Sequence, residues 1–503
     1  MSMILDERKL DFNDLREEFE LLLGILEEFQ VQEKRVDEVE RKLMTMLLNL
    51  GMVALQNFVE AAGDGDVGET VQHGDVVLRR MEDKHTRTYR SIFGEVEIRR
   101  YVYAKRKKQK HEVVPLDQQL GLPADETSYV LEQWMGSLAA YLPYGTAAEW
   151  LHDTFGIGAG STTLENRIRQ LAEHAESFRE EAIEEFPDEK GEVIVALADG
   201  KGIPIRTPWE QVLQEELGRK PHVRNHKNHY QRTDRRWLRG DQAKTQQATV
   251  GACYRIERHV RTTEEALNRH QQTDVPSPVN KRLWGELSCV RDGRESRGAE
   301  RIFQQLAAHV ALRDPDDCCE VVCLTDGAAT LRKLKQQYLP QATSIIDIYH
   351  VTEKIWAVAH CLEPNGSKAA EDRVTHWLRM LLDGKVDCVR GVFQRMVNQQ
   401  EWPLEKRKAI EHAIDYFRTN REAMQYHKYL ARGYPIASGV IEGACKHVIG
   451  DRFCGSGMRW ERDGAQSLLH LRTIHLNGRW DSFIHHRITK EQQSLYGETA
   501  IAI

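Results

Sequence analysis

Val-Ile-Val-Ala-Leu-Ala-Asp-Gly, residues 193–200, is the stretch from which the fold is read: an unbroken apolar run that ends in a carboxylate and a glycine. Such a run predicts a buried strand over 193–198, with Asp199 at its end. A second run, Val-Val-Cys-Leu-Thr-Asp-Gly (321–327), repeats the pattern and ends in Asp326. Further on, Ser-Gly-Val-Ile-Glu-Gly-Ala-Cys-Lys-His (438–447) opens a predicted helix over 438–450 that carries Glu442. Two aspartates at strand ends and a glutamate on a later helix can together build a two-metal site that breaks and joins phosphodiester bonds.

The chemistry explains the residue types. Phosphodiester cleavage needs an in-line nucleophile, a stabilised pentavalent transition state and help for the leaving oxygen, and two Mg²⁺ ions roughly 3.5–4 Å apart supply all three. Mg²⁺ prefers oxygen ligands and keeps several waters, so a few carboxylates suffice. A strand end fixes an aspartate, and the glycine after it opens the backbone for metal or substrate. Lys446, one helical turn beyond Glu442, is placed to hold a phosphate; Arg452 and Lys201 are further candidates for that work. Each acid also has an ordinary reading. An aspartate after a buried strand is commonly a turn or cap residue, and glutamate is a good helix former.

At 503 residues the chain should hold several domains, because one core rarely grows beyond roughly 250–300 residues. A hydrophobic fraction of 41% permits real cores, and a formal charge of −7 argues against a uniformly basic nucleic-acid binder. Charge is segregated, however: residues 14–40 are acid-rich, while 99–110 and 219–239 are densely basic. Local patches, not net charge, steer a polyanion. The nine cysteines show no disulfide framework and read as reduced thiols. With no signal-peptide pattern and no apolar run near the roughly 20 residues of a membrane span, a cytoplasmic protein is expected.

Residues 11–60 read as long helix, with Val36, Val39, Leu43, Met46, Leu50 and Val53 at the period of a coiled-coil seam. Self-association and ordinary packing both account for that stripe. Residues 86–110 read as a hairpin turning near Gly94, in which Val96, Ile98, Arg100 and Val102 alternate with Glu97, Arg99, Tyr101 and Tyr103. Arg99, Arg100, Lys105, Arg106, Lys107 and Lys108, interleaved with those tyrosines, suit a phosphate backbone, unless they form only a solvated charge run. Residues 126–176 are helical. A helix over 147–155, a glycine-rich turn over 156–160 and a helix N-capped by Ser161 outline a helix-turn-helix, with Thr162, Thr163, Asn166 and Arg167 toward a groove. Most helical hairpins bind nothing. From Gly191 the texture is strand-rich: strands follow at 193–198, 248–260, 321–324 and 344–348. Residues 349–435 return to helix, and 465–476 form the last clear one. The basic stretch 219–239, with Arg235 and Arg236, reads as a DNA-contacting loop. Its His222, His226 and His229 match no firm zinc spacing.

Four motifs in order resemble the DDE transposases of bacterial insertion sequences, the ISKra-type family related to Mutator-like elements. They are Ala-Asp-Gly-Lys-Gly-Ile-Pro-Ile (198–205), Leu-Thr-Asp-Gly-Ala (324–328), Ile-Ile-Asp-Ile-Tyr-His-Val-Thr-Glu (345–353) and Ser438 to Arg452. Ser-Gly-Met-Arg-Trp (456–460) and Tyr-Arg-Ser-Ile-Phe-Gly (89–94) are similar to the family's C-terminal and N-terminal parts.

The resemblance implies an α/β protein with a ribonuclease-H-like catalytic core and an α-helical insertion, preceded by a mainly helical DNA-binding region. It implies Asp199, Asp326 and Glu442 as an acidic triad holding Mg²⁺ or Mn²⁺. Asp347 and His350 match a further motif, as a DNA contact or as a strand-to-helix cap. Expected divisions are a helical region to 68, a basic hairpin region 69–125, a helix-turn-helix-like region 126–188, a core 189–348 with a basic loop 206–245, the insertion 349–435, and core completion 436–503. The expected partners are double-stranded DNA, both terminal inverted repeats and target, and a second copy of the chain. A metal-dependent nuclease without strand transfer and a domesticated DNA-binding protein are the alternatives.

Overall fold

In a computed structural model the described residues are 12–105, 113–181, 186, 191–206, 244–268, 275–291, 294–399, 401–437 and 439–497. Arg106, Lys107, Lys108, Arg235, Arg236 and the three histidines of the basic loop lie outside them. The chain forms two units, Met1–Ala182 with Arg479–Ile503, and Ile183–Gly478. The second unit is mixed α/β. The tail expected to complete the core thus divides at Gly478, and the Trp480–Tyr496 helix joins the first unit.

In the first unit the single long helix expected over 11–60 is two, Asn13–Val31 and Val36–Ala61. They part where Glu33 takes a left-handed backbone, φ 49°, a conformation that ends a right-handed helix. The second of them is long and apolar enough to cross a membrane by length and composition, contrary to the expectation that no run is. Its C-terminal turns nonetheless pack on protein, with Val59 against Val96 and Ile98. Strands β1 (Thr70–His73), β2 (Val76–Arg80), β3 (His85–Arg90), β4 (Glu95–Arg100) and β5 (Tyr103–Ala104) follow. β3 and β4 are the expected hairpin, with Tyr89 opposite Val96.

Alternation along β4 decides which basic residues are free. Val96 and Ile98 are buried, and Arg100 shares their parity. It is therefore no DNA contact: with Arg87 it is ion-paired to buried Asp117, at 2.6 and 2.9 Å. Tyr103 is likewise fully buried, its hydroxyl donating to the Gly68 carbonyl. Arg99 and Lys105 are exposed.

The helical stretch comprises Tyr129–Tyr141, Tyr144–Phe155, Ser161–Ala172 and Ala175–Glu181. Gly160, not Ser161, is the N-cap of the third. Thr162, Thr163 and Asn166 are exposed, whereas Arg167 is spent on Asp125 and Gln170 within the fold. Sequence reading missed the last helix, Trp480–Tyr496. It packs Phe483 on Phe178 and pairs Arg487 with buried Glu132 at 2.9 Å.

The second unit is built on β6 (Val193–Ile205), β7 (Lys244–Ile256), β8 (Val279–Leu287), the short hairpin β9 (Cys289–Arg291) and β10 (Arg294–Ser296), then β11 (Glu320–Thr325) and β12 (Thr343–Ile346). Five of these form one sheet in the order β12-β11-β6-β7-β8. β6, β7 and β8 run antiparallel in sequence order, and β11 and β12 lie parallel to β6 on its other side. One face buries Ile194, Ala196, Ala198 and Cys323 beneath Ile302, Phe303 and Leu331, from the helices Gly298–Arg313 and Ala329–Tyr338. The larger of these, Ile194, Ile302, Phe303 and Leu331, contribute about 1.5–3 kcal/mol each when fully buried.

After β12 the chain is helical, with helices Ile348–Leu362, Lys368–Leu382, Val386–Gln399 and Leu404–Asn420. Trp377, Phe393 and Phe417 stack in series among them, so that tryptophan is core. Three tyrosine hydroxyls fasten this part of the chain to the sheet: Tyr426 to the Ile346 carbonyl, Tyr429 to Ser344, and Tyr416 to Asp326.

Candidate active site

β6 does not end at Asp199, as the apolar run predicts. It continues to Ile205, because β7 pairs with it along its whole length. The strand that does end there is β11. Its last pair is Thr325 with Ala198; Asp199 follows that pair within β6 and Asp326 follows it in the turn after β11, near enough for its charge to act on Asp199. Ala198 faces the buried layer, and period-two alternation turns Asp199 and Lys201 to the opposite face.

Gly327 has φ 82°, and a Cβ there would meet the Asn420 amide at 2.9 Å. The Asp326 turn therefore needs glycine twice over, for its backbone and for its neighbour. Gly200 carries no such constraint. A Cβ there would meet only the end of the exposed Gln247 side chain, which can swing aside.

The glutamate segment is not one α-helix. An α-helical part, Gly439–Ala444, passes into a π-helix, Cys445–Gly450, and then into a short turn, Asp451–Phe453. A π segment widens the turn, a feature that recurs at functional sites. It also alters the spacing that aligned Lys446 with Glu442; both are exposed. Through it Cys445 reaches the sheet, its Sγ 3.6 Å from Asp199 Oδ2. Burial pushes the Cys445 thiol up, with Asp199 and, more weakly, Glu442 adding to the effect. The thiol thus stays protonated beside Asp199. Arg472 secures this segment by donating to the His447 and Val448 carbonyls.

Electrostatics links Asp199 with Asp326, and Glu442 with the Cys445 thiol. Burial raises the Asp199 carboxyl above its ordinary range and the like charge of Asp326 adds to that; Gly200 N–H, His350 and Cys445 act in the opposite sense. Among the described residues none of Asp199, Asp326 and Glu442 is ion-paired with a lysine or arginine. Nor do three His, Cys, Asp or Glu side chains converge on one point as a ready-made cage. Asp199 is close to Asp326 and to Cys445, and Glu442 acts on the Cys445 thiol rather than on Asp199. Uncompensated hard oxygen donors are the chemistry a divalent cation such as Mg²⁺ takes, with water filling its remaining positions.

The other expected residues divide. Lys201 is at the site: a Cβ on Gly450 would lie 2.9 Å from its Nζ, and its charge acts on Cys445. His350, half-buried, acts on Asp199 and lies 3.7 Å from Glu353. Asp347 is no DNA contact. It is buried and caps the Ile348–Leu362 helix by accepting from Tyr349 N–H at 2.9 Å. Arg452 holds no phosphate either: it is 1% exposed, with its guanidinium 4.9 Å from the Trp460 ring.

Sequence reasoning missed Cys445, Tyr416 and Asn420. Cys445 sits inside the quoted motif, but only the π-helix turns it to Asp199. Tyr416 and Asn420 lie some 90 residues from Asp326, whose main chain the Tyr416 hydroxyl holds at 2.9 Å; no local pattern marks them. No protein-family model and no curated protein matches this chain.

Proposed function

We propose that the protein is a DNA transposase whose five-stranded sheet is a ribonuclease-H-like core, with Asp199, Asp326 and Glu442 as its acidic residues. One observation carries the reading. Asp199 and Asp326, distant in sequence, each follow the last pair of β11 with β6 and lie near enough for Asp326 to act on Asp199, and the glutamate-bearing helix packs onto the same strand. The order of the sheet, three antiparallel strands extended by two parallel ones, supports the core assignment.

Bound among these carboxylates, Mg²⁺ or Mn²⁺ would activate the attacking oxygen and stabilise the leaving one. Asp199 is oriented for this by the Cys445 thiol and by Gly200 N–H at 2.7 Å. Asp326 is oriented by Ala328 N–H at 2.7 Å and by the Tyr416 hydroxyl on its main chain. Lys201 brings a cation to the phosphate being displaced. Water attacks phosphorus at the element end, the P–O3′ bond breaks, and a 3′-hydroxyl is freed. That hydroxyl then attacks a target phosphodiester, forming a new O3′–P bond as the target's own P–O3′ bond breaks. Joining two ends requires at least a dimer. Exposed Arg99, Lys105, Thr162 and Asn166 are the DNA contacts of the first unit.

The test is a strand-transfer assay on duplexes taken from the flanks of the coding region, with Mg²⁺ and with wild type beside Asp326→Ala. Joined product from the wild type alone supports the transposase. Cleavage without joining makes the protein a nuclease, and binding without metal-dependent chemistry makes it a DNA-binding protein.

A further inference from the structure

Behind the Asp326 turn lies a cavity of about 270 Å³ that the catalytic reading does not use. Its wall combines Arg332 and Lys335 with the hydroxyl residues Thr325, Thr343 and Ser344, and with Asn420. Lys335 is 7% exposed, and its ammonium has a single hydrogen bond, to the Pro340 carbonyl at 3.3 Å. An ammonium carries three donors and is costly to bury without a counter-charge. Among the described residues no carboxylate pairs with it, and its one electrostatic neighbour is the Cys323 thiol. Arg332 donates to Asn420 Oδ1 at 3.2 Å, and among the described residues its other donors find no partner. Glu422, at the exposed rim, is the one acid in the lining.

We propose that this cavity binds a small phosphate-bearing anion, either inorganic phosphate or a nucleoside monophosphate, between Lys335 and Arg332. A desolvated ammonium and a guanidinium fork form charge-assisted bonds to phosphate oxygens, and the hydroxyls take the rest. The space holds a phosphate and an attached sugar, and falls just below the roughly 300–1,000 Å³ of drug-sized sites. Thr325 directly precedes Asp326, and Asn420 packs under Gly327. An anion here therefore braces the loop that carries the second aspartate. That consequence rests on the transposase reading; the binding does not.

Calorimetric titration of the full chain at fixed ionic strength, with inorganic phosphate and with a nucleoside 5′-monophosphate, tests the site. Saturable one-to-one binding is expected for at least one of them, and the stronger of the two identifies the source. Lys335→Met and Arg332→Gln should each weaken it at least about tenfold. Thermal melting shows whether each variant is folded, and Arg332 is exposed enough for its variant to fold even if the lysine variant does not. Absence of saturable heat with both anions, or unchanged affinity in a folded Arg332→Gln, overturns the proposal.

Discussion

Two groups of carboxylates on the same sheet have opposite surroundings. On β8, Glu286 is fully buried and completely answered, with Arg301 at 3.1 Å, His470 at 3.1 Å and Gln466 at 3.1 Å. On β6 and in the turn after β11, Asp199 and Asp326 are near enough to interact, with no lysine or arginine partner among the described residues. Burial alone does not distinguish them, since the better-buried acid is the quiet one. Compensation does. Removing one partner of a buried pair strands the other charge, whereas two acids without a counter-charge are what a divalent cation would compensate under the proposed function.

Substitutions should separate the two groups in sign as well as size. Asp199→Asn or Asp326→Asn is expected to cut metal-dependent cleavage by at least about a thousandfold, on the order of 4 kcal/mol of barrier. Melting temperature should hold or rise, because a like-charge repulsion disappears. Cleavage rates within tenfold of wild type would end the two-acid account. Glu286→Ala should do the reverse and lose about 3–5 kcal/mol of stability in urea titration, by stranding the buried Arg301 charge. A loss below about 1 kcal/mol would mean that Glu286 is no better compensated than Asp199.

Smaller effects refine the contrast. Tyr416→Phe removes one hydrogen bond to the Asp326 main chain and should cost about 1 kcal/mol in unfolding free energy, with a matching fall in cleavage rate. An unchanged rate would show that the insertion does not position Asp326. The smallest effect is one of pH. In the first unit, burial pushes Glu132 up from 4.5 to about 7, even though Arg487 opposes the shift. The folded state thus holds this proton more tightly than the unfolded chain. The associated stability is present below pH 4.5 and is lost as pH rises through about 7. Glu132→Gln should flatten that decline in melts recorded across the window; an unchanged slope would assign it to another group.

Much of the fold was legible from local pattern. The apolar run 193–198 and its partner 321–324 are strands because side chains buried on both faces leave an uninterrupted apolar signature. The 85–100 hairpin follows from alternation, and that same alternation placed Arg100 inside, where its charge type pointed outward. The glutamate segment misled for a different reason. Nothing in Gly439–Gly450 marks where the α-helical ladder widens into a π-helix, because that choice belongs to what the segment packs against.

Sequence by itself determined the residue types and their order: two aspartates after apolar strands, a glutamate on a later helix, and basic stretches apart from them. Strand period and side-chain chemistry are local properties, so they can be read along the chain. Only the tertiary structure decided that Asp326 acts on Asp199, that Cys445 touches Asp199 while Arg452 is buried away from any phosphate, and that Arg100, Arg167 and Asp347 are spent within the fold. Register between strands, the partner of a buried charge and the neighbour across a cavity are set by contacts between residues distant in sequence, and chain order does not encode those distances.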